Sequence, residues 1–100
     1  MVRDTYAYRQ VAVESCLLGA TVQIRPLPGQ AYSPTLSVQC SRRLRDTGLY
    51  PVGSKFLLLA KLTDRLGGTP FLYAYHGDPD VVLSPRQAKA FLAEFKRGRI

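Results

Sequence analysis

Metal-ligating side chains are scarce in this chain. One histidine, His76, and two cysteines, Cys16 and Cys40, are its whole supply of nitrogen and sulfur ligands. A four-ligand zinc site could not be assembled from them without carboxylates. Carboxylates are also few, with 7 Asp and Glu against 14 Lys and Arg. No apolar run approaches the ~20 residues that cross a bilayer as a helix. The opening MVRDTYAYRQ has neither an apolar core segment nor a small-residue cleavage site, so no secretion signal is read there. These absences predict a soluble, cytoplasmic protein that holds no cofactor, with both cysteines as buried thiols in a reducing compartment. A disulfide between Cys16 and Cys40 would require their strands to be neighbours. Internal repeats and low-complexity tracts are absent too.

What the chain does have is apolar content and positive charge. Its 100 residues are 46% hydrophobic, enough for a globular fold rather than disorder. The length predicts a single domain over residues 1–100, with an N-terminal arm or edge strand (1–10), a β-rich core (11–83) and a C-terminal helix (84–98). A chain of this size buries only about two-thirds of its unfolded surface. A shallow groove or an oligomer interface is therefore expected before a deep enclosed site.

The densest apolar stretch is GLYPVGSKFLLLAKLTDRLGGTPFLYAYHGD, Gly48 to Asp78. It reads as two strands, Lys55 to Thr63 and Phe71 to His76, around a turn containing Asp64, Arg65, Gly67 and Gly68. In the first strand Phe56, Leu58, Ala60 and Leu62 share one face, while Leu57 and Leu59 lie on the other. Both faces are apolar at the centre, which predicts a central strand covered on both sides. In the second, Phe71, Tyr73 and Tyr75 oppose Leu72, Ala74 and His76. Upstream, Val11 to Leu18 and Thr21 to Leu27 read as an antiparallel hairpin across Gly19-Ala20. The second of these alternates, with Val22 and Ile24 inward. Pro26, Pro28, Gly29 and Pro34 mark a loop. Leu36, Val38 and Cys40 form the inward set of a further strand; beyond it Ser41 could cap a short helical turn that stops at Gly48, the favoured reading, or the strand could run on.

The C-terminal helix carries the clearest local signature. Ser84-Pro85-Arg86-Gln87 is a capping box with proline at the first helical position. Ala88, Phe91, Leu92 and Phe95 form an apolar stripe, and Gly98 is placed to end the helix. The predicted fold class is α+β: a small, mainly antiparallel curled sheet or half-open β-barrel of about five strands, with this amphipathic helix packed over its central strand.

Two basic clusters stand out. Arg42, Arg43 and Arg45 precede Tyr50, and the helix carries Arg86, Lys89, Lys96 and Arg97 opposite its apolar stripe. The formal net charge of +7 attracts polyanions, and exposed cations of this kind neutralise phosphates. Tyr50, with Tyr73 or Tyr75, could stack on unpaired bases. The competing reading is that the helix charges are its solvated face.

Three other constellations are weaker. His76-Gly77-Asp78-Pro79-Asp80 could gather metal ligands or a general base, but Gly, Asp and Pro in this order also make an ordinary turn. Cys16 or Cys40 could act with His76 as a nucleophile only if exposed in an electropositive setting. Asp64 to Thr69 lacks the P-loop pattern and reads as a hairpin turn. The apolar surplus of the hairpin suggests a homodimer through the Phe71/Tyr73/Tyr75 face or an edge strand, unless the helix and barrel closure cover it.

The expectation is a non-enzymatic binding module for nucleic acid or another polyanion, engaging no membrane. Its alternative is a protein-interaction or self-assembling module with incidental charge. A small metal-dependent or hydrolytic enzyme centred on His76 stands third.

Overall fold

A computed structural model describes residues 8–63 and 68–98. In chain order they form β1 (Arg9–Leu18), β2 (Thr21–Pro26), β3 (Val38–Gln39), a 3₁₀ turn (Arg42–Arg45), β4 (Lys55–Thr63), β5 (Phe71–Ala74), β6 (Val82–Leu83) and α1 (Pro85–Lys96). The strands make one mixed sheet in the order β2-β1-β4-β5-β3, and the two-residue β6 pairs with β4 beside β5. The path curls until its ends, β2 and β3, come into contact. The result is the expected α+β class: a nearly closed sheet with a single C-terminal helix packed on it.

Local chemistry explains the hairpin. Gly19 adopts φ 65° at the tight connection, a conformation that costs glycine little. The register then runs from Leu18↔Thr21 to Val13↔Pro26. Pro26 cannot donate to a ladder, and β2 ends there as an edge strand. β4 pairs antiparallel with β1 on one side (Arg9↔Ala60 to Glu14↔Lys55). On its other side it pairs with β5 (Ala60↔Ala74 to Thr63↔Phe71) and with β6 (Phe56↔Val82). β3 joins β5 in parallel, Val38 opposite Leu72, the one parallel pairing beside four antiparallel ones among the described residues, in keeping with the mainly antiparallel sheet expected.

The concave face holds the main core. Val11, Val13, Ile24, Val38, Phe56, Leu58, Ala60, Leu72 and Ala74 fill it, joined by Cys40 and by Leu44 from the 3₁₀ turn. The inward phase expected for Val38 and Cys40 is as observed. Leu62 is not covered with its neighbours: it lies past the core at the end of β4 and is half exposed. Both cysteines are free thiols; Cys40 is buried but Cys16, pointing to the opposite face, is only half-buried.

The helix begins as its sequence predicts. Ser84 accepts from the Gln87 amide, and the Gln87 side chain accepts from the Ser84 amide. The chain turns out of α1 at Gly98, φ 77°. Its landing place differs from expectation, however. α1 packs on β1 and β6 rather than over the centre of β4, joining Ala88, Phe91 and Leu92 to Ala12, Leu27 and Leu83 in a second, smaller core. The physical reason is size. Ala12 and Ala88 are both fully buried at this contact, and two small side chains allow helix and sheet to approach closely. Leu59, on the same outer face of β4, is left 43% exposed.

Candidate nucleic-acid interface

The two basic clusters are rooted in different cores. The 3₁₀ turn is anchored by buried Leu44 in the concave core, and Ser41 caps it by accepting from the Arg43 amide. α1 is anchored by Ala88 on the other face of the sheet. The structure therefore does not gather Arg42, Arg43 and Arg45 with Arg86, Lys89, Lys96 and Arg97 into one patch.

Within the first cluster the residues play different parts. Arg43 donates from Nε (3.1 Å) and a terminal nitrogen (2.9 Å) to the two carboxylate oxygens of Asp80, a bidentate pair. The Tyr50 hydroxyl donates to the same carboxylate at 2.9 Å. The Arg43 hydrogen bond holds the Asp80 carboxyl below the usual aspartate range against the opposing effect of burial, with Tyr50 adding to the lowering. Reciprocally, bonding to Asp80 raises the pKa of both Arg43 and the Tyr50 phenol. The Tyr50 ring stands edge-on to Phe56, centroids 5.1 Å apart, with its body packed against the main core. Arg43 and Tyr50 thus spend much of their polar capacity inside the protein.

Arg42 and Arg45 are exposed, as are all four named helix cations. Arg97 is paired with Glu94 at 3.2 Å. Among the described residues no carboxylate pairs with Arg42, Arg45, Arg86, Lys89 or Lys96.

The remaining constellations do not assemble. His76 is exposed and stacks on Tyr73, while Asp80 turns to Arg43 and Tyr50. No three His, Cys, Asp or Glu residues converge among the described residues. Burial pushes the Cys40 thiol up to about 11, outweighing the opposite pull of Arg45, so this sulfur stays protonated at neutral pH. Of the proposed turn, Asp64, Arg65 and Gly67 lie outside the described residues. No helix among the described residues is long and apolar enough to cross a membrane.

Strand pairing creates a grouping that residue-by-residue reading missed. Tyr8, Lys61 and Tyr73 have the outward phase of their segments. Lys61 and Tyr73 are direct partners between β4 and β5. The Lys61 ammonium lies 5.6 Å from the Tyr8 ring centroid, a cation–π contact. The His76 ring covers part of Tyr73, centroids 5.9 Å apart and planes 24° from parallel. The row crosses three adjacent segments at the end of the sheet that α1 leaves open. Lys61, the one cation within the apolar run from Phe56 to Leu62, was the available signal. Beside this row lies a groove of about 270 Å³ whose lining includes Leu57, Leu59, Tyr75 and Val81 together with Cys40 and Asp80.

The fold and surface define a small, basic, barrel-like α+β protein. No protein-family model, curated protein or solved structure matches the chain.

Proposed function

We propose that this protein is a non-enzymatic binding module for a polyanion, nucleic acid foremost. The observation that carries the reading is the set of five exposed cations without a carboxylate partner among the described residues: Arg42, Arg45, Arg86, Lys89 and Lys96. They sit on a chain of net charge +7, and such cations gain free energy by displacing counterions from phosphates.

The test is fluorescence anisotropy of labelled single-stranded DNA, duplex DNA and RNA against the purified protein, across salt concentrations. Affinity should fall log-linearly with salt. Changing Arg42 and Arg45 to Ala, or Arg86, Lys89 and Lys96 to Ala, should weaken binding and flatten the slope by about 0.7 per lost phosphate contact on a single strand. Absence of binding to every probe at low salt would sink the proposal.

A second reading rests on a separate observation. Leu59 of β4 and Tyr75, just past the end of β5, remain about half exposed and line one groove, and apolar surface of this kind suits a protein interface, including one with a second copy.

A further inference from the structure

We infer that the open end of the outer sheet face, built from Tyr8, Lys61, Tyr73 and His76, is a stacking platform for the bases of a single-stranded nucleic acid. This rests on the polyanion reading and narrows it to one ligand class.

The geometry favours unpaired bases over a bare polyanion. Tyr73 and His76 already form a near-parallel stack, and His76 is exposed, so its outer ring face continues that stack toward solvent. A base laid on it would extend an existing column of rings. Base–aromatic stacking is indifferent to sequence because every base presents a π-face. Lys61, between Tyr8 and Tyr73 on the same face, supplies a positive charge beside the rings. A backbone passing over the row would meet it there. In a duplex the base faces are already stacked on one another, so a flat aromatic row discriminates against duplex.

The position of α1 adds direction. The helix docks on this same outer face, at Ala12 of β1. Ala12 is four residues from Tyr8, about 13 Å at the rise of a strand. The exposed cations Arg86, Lys89 and Lys96 therefore belong to the platform's side of the sheet, whereas Arg42 and Arg45 are rooted in the concave core. Aromatic rings flanked by cations on one face match a strand with bases on one edge and phosphates on the other.

The deciding experiment compares four probes on the intact protein: a mixed-sequence DNA single strand, the same sequence as RNA, its DNA duplex, and inorganic polyphosphate as an unlabelled competitor. Single strands should bind at least tenfold more tightly than the duplex, and polyphosphate should compete poorly per charge. His76→Ala removes an exposed ring without touching either core, and it should weaken single-strand binding several-fold. His76→Ala combined with Tyr73→Ala should weaken it by tenfold or more. Tyr73→Phe, which keeps the ring, should leave binding near that of the parent. Circular dichroism of each variant separates lost binding from lost fold. If polyphosphate competes as well as single strands, or the His76 and Tyr73→Phe variants fail to split as stated, the platform is overturned while the polyanion reading stands. If no probe binds at low salt, both fall.

Discussion

Asp80 is the residue whose replacement should be felt most specifically. It links the 3₁₀ turn, the loop at Tyr50 and the segment before β6 through three hydrogen bonds. Its carboxyl is held below the value it would have in the unfolded chain, chiefly by Arg43. The unfolded state therefore takes up a proton first as pH drops. The stabilisation is complete above the unfolded carboxyl pKa, about 3.9, and is lost as pH falls through the lower folded value. Asp80→Asn should reduce stability at neutral pH, and the gap to the parent should shrink below about pH 4. Urea melts at several pH values would show this, and a gap that stayed constant into acid would contradict the linkage. The two thiols offer an independent check. Cys40 is buried and its thiol raised to about 11, whereas Cys16 is partly accessible on the opposite face, its sulfur 3.6 Å from the Gln23 carbonyl oxygen. Alkylation of the native protein near neutral pH should modify Cys16 well before Cys40, and both should react in denaturant. Mass mapping would reveal the order.

At the scale of elements, the helix is held by its cap and by one small core. Ser84→Ala removes the hydroxyl that accepts from the Gln87 amide, while the backbone amide at 84 can still donate to the Gln87 side chain. It should cost about 1 kcal/mol. Phe91→Ala should cost more, about 2 kcal/mol, because the ring is partly buried against Ala12, Leu27 and Leu83. Phe95 belongs to the same stripe but lies outside that cluster, so Phe95→Ala should cost less than Phe91→Ala. Thermal melts of the three variants would rank them, and an equal loss at Phe91 and Phe95 would argue against the packing described. The helix also shows how far the sequence could be read. Its start, its end and its apolar stripe depend on residues within one or two turns of each other, and all were legible. So were the extent of β4 and the hairpin of β1 and β2, where alternation and Gly19 act locally. The landing of α1 on Ala12 rather than over Leu59 was not, because it depends on a small residue more than seventy positions upstream finding Ala88. The parallel pairing of β3 with β5 is equally non-local. The candidate site follows the same division. Its cations could be read from composition, while the Arg43–Asp80 link across 37 residues and the Lys61–Tyr73 partnership exist only once the strands are in register.

For the whole molecule, charge and exposed apolar surface make opposite demands on salt, and that separates the two functional readings. Each copy carries a formal charge of +7, so two copies repel at low ionic strength. Binding to a polyanion is strongest under those same conditions. Raising the salt shortens the screening length from about 30 Å at 0.01 M to about 8 Å at physiological strength. Repulsion between copies then fades, while an apolar contact through Leu59 and Tyr75 would be undiminished. Self-association should therefore strengthen with salt as nucleic-acid binding weakens. Leu59 and Tyr75 are two residues from Lys61 and Tyr73, the paired members of the stacking row on β4 and β5, so the two events should also compete. In sedimentation velocity the expected course is monomer at low salt, a growing dimer fraction at high salt, and a return toward monomer when single-stranded DNA is added at intermediate salt. Leu59→Lys should suppress the dimer, since it places a like charge at the centre of the contact on each copy. A monomer under every condition would remove self-association and leave the open sheet end to an external ligand. A dimer indifferent to both salt and DNA would place the interface elsewhere, on surface the stacking row does not share.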